Sequence, residues 1–358
     1  MPGVYISYPF CAQKCTYCNF ASGVFPREFE PRYIDALRRE LLHTEWPWIP
    51  ETVYLGGGTP SRIDSTLLAS VLSSVPGKPW REATMEAAPG GLTPEKIRAW
   101  RQAGINRVSL GVQSFVPIEL ARTGRKHTAE IVEREVALLR DAGIESINID
   151  LIAGLPGQTP GGWGESLEWI ERLGAPHVSV YMLEVDEDSR LGLEILNNGA
   201  RYGASDVPTD DAIADYYETA VERLAATGVE RYEISNFAKP GLESVHNLKY
   251  WKREPYLGFG ADAHSFDGGM RWQNPETVAA YLAGFPPPER MPADATGERF
   301  YLGLRLSEGI ETDGGPFAEA VGRFTRDGLL ERRQDRIRLT PRGLLLSNEV
   351  FAEFVSTP

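Results

Sequence analysis

Cysteine is nearly missing from this 358-residue chain: there are three, at Cys11, Cys15 and Cys18, and none elsewhere. An odd count crowded into one short loop is a poor scaffold for disulfides, so a disulfide framework is excluded. No second pair of Cys or His follows at a spacing that would close a tetrahedral structural zinc site. Positive charge is also short, with 37 Lys and Arg against 50 Asp and Glu and a formal net charge of −13. A broad nucleic-acid surface depends on clustered cations and counterion release, so an RNA or DNA partner is disfavoured. The sequence has no apolar run of about 18 residues and no basic stretch ahead of its short apolar start. A helical membrane span and a signal peptide are therefore not expected, and a cytoplasmic location is. That compartment keeps thiols reduced.

What is present is a spacing. The run YPFCAQKCTYCNF reads C-x3-C-x2-C, and three thiolates so close together act jointly on a metal. A cube of four irons and four sulfides held by three thiolates leaves one iron open, and an open iron on a redox cluster binds a substrate or cofactor.

Short β-like runs recur with helical stretches between them, the pattern of repeated βα units. Strands are expected at Val4–Tyr8, Thr52–Leu55, Ala83–Ala87, Arg107–Gly111, Ser146–Ile152 and His177–Met182, with helices over stretches such as Arg32–His43 and Thr128–Ala142. Six such units predict an α/β fold built on an open (β/α)6 partial barrel, with active groups just past the strand C-termini. A Gly/Asn/Pro-rich stretch, Asn197–Pro208, and a proline-rich break, Gly284–Gly297, divide the chain. The expected domains are a core over 1–190, an accessory α/β region over 191–285 that completes the barrel side, and a winged-helix-like domain over 286–358. In the last, Phe317–Gly328 reads as a helix, Leu329–Leu339 as a charged hairpin and Pro341–Phe354 as a second helix. Arg332, Arg333, Arg336 and Arg338 alternate there with Glu331 and Asp335, the composition of a solvated face rather than a DNA reader.

The cysteine trio resembles the hallmark of the radical SAM superfamily, and the resemblance runs over almost the whole chain. It implies a [4Fe-4S] cluster on Cys11, Cys15 and Cys18 and S-adenosyl-L-methionine (SAM) chelated to the open iron. The segment Tyr54–Pro60, YLGGGTP, follows a strand directly, and its glycines let backbone approach a ligand without Cβ obstruction. It is similar to the GGGTP element of the coproporphyrinogen III dehydrogenase-like subgroup. By that resemblance Gly57, Gly58 and Thr59 contact the cofactor, as do Glu86, Gln113, Arg125 and Asp150, each at or after a strand end. Asp150 suits ribose hydroxyls and Arg125 a carboxylate. Tyr5, six residues before Cys11, and Tyr17, just before Cys18, match further cofactor-contacting positions. The subgroup pattern E-x-N-P or E-x-D-P is broken by Ala88 ahead of Pro89, which removes one polar side chain.

Within that subgroup two branches compete. The dehydrogenase adds a fourth cysteine two positions on, where this chain has Phe20, and an N-terminal lid segment that is not expected here. The HemW-type heme chaperones carry H-N-x-x-Y-W, and this chain reads HNLKYW at 246–251. The resemblance implies heme contact at His246, Asn247, Tyr250 and Trp251. Imidazole is a common axial ligand, and Tyr250, Trp251, Tyr256 and Phe259 have the rings to cover a porphyrin face. His264 is a second candidate ligand. The expectation is a heme chaperone that delivers heme to acceptor hemoproteins such as respiratory-chain proteins, with peripheral membrane association left open. The alternative is an oxygen-independent coproporphyrinogen III dehydrogenase. An RNA-modifying enzyme is the third reading, set aside on charge. Whether SAM is cleaved is not assigned.

Overall fold

The computed structural model describes residues 2–284, 288–312 and 315–355. Six parallel strands stand side by side in chain order: β1 (Gly3–Tyr8), β2 (Thr52–Gly57), β3 (Glu82–Ala87), β4 (Arg107–Gln113), β5 (Ser146–Ala153) and β6 (His177–Met182). Between them run α1 (Phe29–His43), α2 (Ser65–Leu72), α3 (Pro94–Ala103), α4 (Pro117–Thr123), α5 (Ala129–Asp141) and α6 (Pro160–Leu173). Strand order that follows chain order without closing is the open partial barrel that the six βα units predict.

Local chemistry fixes these helices. Thr93 caps α3 by accepting from Lys96 N, Pro94 supplies the first turn, and Gly104 in the left-handed region ends the helix. In α1 the buried residues Tyr33, Ile34, Leu37 and Leu41 recur at helical spacing on one face, each contributing about 1.5–3 kcal/mol on burial.

Alternation along the strands separates two environments. Val4, Ile6, Val53, Leu55, Ala83, Met85, Val108, Leu110, Ile147, Ile149, Val178 and Val180 are all buried against the helix layer. The alternate positions are largely polar: Tyr5, Thr52, Tyr54, Glu82, Thr84, Glu86, Arg107, Ser109, Asn148, Asp150, His177 and Ser179. They bond one another across strands. Asn148 Nδ2 donates to Asp150 at 2.6 Å, Ser109 at 2.7 Å and Ser179 at 2.9 Å.

After β6 come α7 (Arg190–Leu196), a 3-10 turn over Arg201–Asp206, α8 (Asp210–Ala226), β7 (Glu230–Arg231) and β8 (Asn236–Ala238), the last pairing antiparallel with β6. The expected separator Asn197–Pro208 is tied to the core rather than free: Arg122 meets Asp206 at 2.7 Å, and Gly157 N donates to Asp206 O at 2.7 Å. The chain next forms α9 (Val245–Trp251) and then β9 (Tyr256–Phe259), which pairs parallel with β1 on the opposite edge. Thus α9 crosses the mouth at the N-terminal ends of the strands. Antiparallel β10 (His264–Phe266), β11 (Met270–Gln273) and β12 (Met291–Pro292) extend this edge into a 12-stranded sheet, and α10 (Val278–Ala283) packs on α1. Of the proline-rich break, residues 285–287 lie outside the described residues; the rest supplies edge strand β12, where a proline is tolerated.

The C-terminal region contains α11 (Ala295–Gly303), β13 (Ile310–Glu311), α12 (Ala318–Arg326), β14 (Leu330–Arg333), β15 (Arg336–Leu339), α13 (Pro341–Leu345) and α14 (Ser347–Ala352), with a separate three-stranded sheet in the order β13-β15-β14. This is a winged-helix-like arrangement. Its arginines are matched within the unit, Arg338 to Glu331 at 2.6 Å and Arg336 to Glu311 at 2.9 Å. The expected single helix Pro341–Phe354 is two helices that break at Leu346. Leu344 and Val350, both buried, would stand about 120° apart on one straight helix, and the break at Leu346 lets each face the core.

The plug α9 is anchored by Glu82 at the foot of β3. Its carboxylate accepts from Ser244 Oγ at 3.2 Å and from the amides of Val245 and His246 at 2.9 Å each. Glu82→Ala leaves these buried donors unpaired beside Arg107 and is expected to cost about 2–5 kcal/mol, read as a lower urea midpoint. Glu82→Gln, which keeps an acceptor oxygen, should lose less than half as much.

Candidate functional site

The cysteine loop leaves β1 at the C-terminal rim of the barrel and is held from three directions. Behind it, buried Phe10 packs on Tyr8, Phe25 and Tyr33 at centroid separations of 5.1–5.4 Å. Below it lies the glycine triplet, whose Gly58 N donates to Tyr8 O at 2.7 Å and whose Thr59 N donates to Phe10 O at 3.0 Å. A Cβ on Gly58 would sit 2.8–2.9 Å from the backbone of Pro9, Phe10 and Tyr8. At this position the close approach is therefore to the loop itself. On the far side Leu191 N donates to Thr16 O at 2.9 Å, and Asn19 donates to Asp186 at 3.2 Å.

Cys11, Cys15 and Cys18 are free and half-buried. Burial pushes the Cys11 thiol up, against hydrogen bonds from Thr59 and Ser22 that favour its thiolate. Among the described residues no three His, Cys, Asp or Glu side chains converge as a single ion would require. A four-iron cube does not need such convergence, because each thiolate binds its own iron.

The other sequence-predicted cofactor residues gather at the same rim. Glu86 is enclosed and accepts from the Tyr54 hydroxyl at 2.9 Å. Burial, reinforced by nearby Asp150, raises its carboxyl to about 7. Asp150 is also pushed up by burial, against donors from Ser179, Asn148 and Ser109. Gln113 is buried at a bulge of β4 with φ at +74°, a left-handed conformation that a non-glycine residue adopts at some cost. Arg125 follows α4 and donates to Tyr17 Oη at 3.4 Å. Its Nε is buried without a partner among the described residues. Gly56 is a cradle, where a Cβ would meet Tyr5 Oη at 3.0 Å and Glu86 Oε1 at 3.1 Å. Phe20 is 65% exposed beside the trio, and its ring cannot ligate iron.

The HNLKYW residues lie at the other end of the barrel. His246 is fully buried in α9, with Nδ1 bonded to Thr52 Oγ1 at 2.8 Å and Nε2 to Tyr250 Oη at 2.7 Å. Burial, with Lys249 and Arg107 nearby, lowers its pKa to about 3. It is therefore a neutral imidazole with one nitrogen donating and the other accepting. Trp251 carries Arg305 over its ring at 4.3 Å, and Tyr250 meets Tyr256 edge-on at 4.7 Å. Phe259 packs on Trp46, while Asn247 is half-buried and His264 stands exposed.

The radical SAM superfamily model matches residues 5–170, and that of the HemN C-terminal domain matches residues 292–346. The heme chaperone HemW of Bacillus subtilis is 34% identical, with 99% of each chain covered. The chain belongs to the HemW family. The HemW of Mycobacterium tuberculosis is 36% identical over 97% of this chain and 93% of that one. Coproporphyrinogen III oxidase (HemN) from Escherichia coli, described as a radical SAM enzyme, shares the fold, with a TM-score of 0.83 at 20% identity over 99% of this chain and 89% of that one. HemW family membership within the radical SAM superfamily implies a [4Fe-4S] cluster and SAM. The rim fits both: it offers three unpaired thiols, a glycine cradle beside a buried carboxylate, and the Nε of Arg125 without a partner among the described residues.

One rim residue escaped the sequence reading, and a second was read there only as structural or cofactor-adjacent. Tyr54, which donates to Glu86, sits inside the YLGGGTP motif but shows no signal of its own. His127 follows Arg125 in TGRKH; burial and Arg125 lower it to about 4, and its Nε2 has no partner among the described residues.

The Glu86 carboxyl gives a pH signature. A group near 4.5 when unfolded and about 7 when folded holds extra protons in the native state between those values. Its stabilising contribution is whole below about pH 4.5 and is lost as pH rises through 7. Relative to wild type, Glu86→Gln in the cluster-free protein should gain up to about 3 kcal/mol above pH 7 and nothing below pH 4.5, measured by urea unfolding across that window.

Proposed function

We propose that this chain is a heme chaperone that binds heme and hands it to acceptor hemoproteins, among them respiratory-chain proteins, while carrying a [4Fe-4S] cluster and SAM. The observation that carries the reading is similarity to named heme chaperones along the whole chain. In this reading Cys11, Cys15 and Cys18 hold the cluster. Tyr5, Tyr17, Gly57, Gly58, Thr59, Glu86, Gln113, Arg125 and Asp150 hold SAM, which can supply a radical when its sulfonium is reductively cleaved. Glu86 is the acceptor for an ammonium, Asp150 for ribose hydroxyls, and Arg125 the partner of a carboxylate. Thr59 and Ser22 donate toward Cys11 and offset part of the burial that disfavours its thiolate. The half-buried loop limits water at the cluster.

Heme contact at His246, Asn247, Tyr250 and Trp251 belongs to the same reading. Both His246 nitrogens are engaged, so axial ligation requires α9 to leave the strand mouth. Delivery in the cytoplasm or at a membrane surface is compatible with the finding that no helix among the described residues is long and apolar enough to cross a membrane.

The rival reading, decarboxylation of coproporphyrinogen III, draws on the shared fold. Anaerobic reconstitution with iron and sulfide, followed by paired assays, separates the two. The expected outcome is a Soret band saturating at about one heme per chain, heme transfer to an apo-hemoprotein, and no protoporphyrinogen IX. Stoichiometric conversion of coproporphyrinogen III that is lost in Cys15→Ala would overturn the proposal. Each single Cys→Ala change should abolish iron and sulfide retention, checked by metal and sulfide analysis. His246→Ala should alter the Soret band and heme affinity; unchanged spectra and binding would remove His246 from the heme site.

A further inference from the structure

The histidine of the plug helix and the buried carboxylate of the cofactor rim are joined by one tyrosine. Tyr54 sits inside the barrel with its ring stacked on His246, centroids 5.2 Å apart at 29°. Tyr5 lies against it at 6.1 Å and 20°. The Tyr54 hydroxyl donates to Glu86 Oε1 at 2.9 Å. Glu86 in turn borders the Gly56 cradle, where no side chain fits without touching it. The imidazole is itself immobilised by hydroxyls from β2 and α9, and the amide of His246 is bound by Glu82.

We infer that His246 is a positioning residue for the SAM rim: it fixes the ring of Tyr54, and Tyr54 fixes the carboxylate of Glu86. The two ends of the barrel are then energetically coupled. Withdrawal of α9 from the mouth frees the Tyr54 ring and loosens the acceptor for the cofactor's ammonium. By linkage, a ligand that takes His246 from its present partners weakens SAM, and SAM holds His246 in place. This role rests on the proposed contact of SAM with Glu86 and stands whether or not the heme reading does; wild-type protein that fails to bind SAM would count against that contact and not against the coupling.

The test uses cluster-loaded protein with matched iron and sulfide content, titrated anaerobically with SAM in the absence of heme, with a thermal melt on each sample. His246→Leu removes the stacked ring, whereas His246→Phe keeps a ring against Tyr54 and loses both hydrogen bonds. Tyr54→Phe keeps the ring and loses the donor to Glu86. His246→Leu and Tyr54→Phe should each weaken SAM about tenfold, and the double variant no more than Tyr54→Phe alone, because both act through one contact. His246→Phe should melt earlier than wild type yet bind SAM within about threefold of it, which separates positioning from simple destabilisation. The inference is overturned if Tyr54→Phe or a folded His246→Leu binds SAM like wild type. It is equally overturned if the two losses multiply to about 100-fold, or if His246→Phe loses as much affinity as His246→Leu. Should His246→Leu not fold, His246→Gln, which removes the ring but keeps a polar group between Thr52 and Tyr250, takes its place under the same criteria.

Discussion

A barrel whose inner face is polar must find a partner for every group it buries, and this constraint organises the whole molecule. The strands turn their aliphatic positions outward to the helices and turn tyrosines, carboxylates, Asn148, Arg107 and His177 inward. An unpaired buried polar group costs about 1–3 kcal/mol, and more when charged. Bonds from Asn148 to Asp150 on its own strand and to Ser109 and Ser179 on the neighbouring strands satisfy the middle of the barrel. At the N-terminal mouth the same need is met by α9, which presents Ser244, two amides and an imidazole to Glu82 and Thr52. At the C-terminal rim the accounting stays open. Arg125 Nε and His127 Nε2 are buried there without partners among the described residues, and Glu86 has its carboxyl raised. A ligand rich in charged and hydroxyl groups is what such a rim lacks.

Much of this was legible in the sequence because it is written locally. The six strands fall within one or two residues of the expected bounds, since period-two alternation bounded by caps and glycines is a local signal. The cysteine loop was legible for a different reason: three thiols in a chain otherwise without cysteine have no competing explanation. The rim residues came from the resemblance to the radical SAM subgroup, and the structure brings Tyr5, Tyr17, Glu86, Gln113, Arg125 and Asp150 to that one rim.

What stayed hidden depends on tertiary contact. Strand β9 is short and interrupted by Gly258, which reads as a breaker; only the structure shows the carbonyl of His264 passing 2.2 Å from where a Cβ would stand. The bend at Leu346 arises because two apolar positions off the helical period must both be buried. The role of Gly58 as a seat for the cysteine loop cannot be told from a ligand contact by sequence, because both demand the same missing side chain. His246 is the sharpest case. Its motif marks it as special, yet nothing in HNLKYW reveals that its partners are Thr52 and Tyr54, about two hundred residues earlier.

That last placement bears on how two branches with one fold come to differ. The backbone resemblance to the coproporphyrinogen oxidase spans almost the entire chain, so architecture does not separate them. What this chain presents at the two ends of the barrel is Phe20, exposed at the rim, and a histidine-bearing plug at the mouth. Both leave the rim's donors and acceptors intact. The mouth and the rim of one barrel can then sense one another. Tyr54 is the side chain through which they can, since its ring belongs to the plug's packing and its hydroxyl to the rim's chemistry.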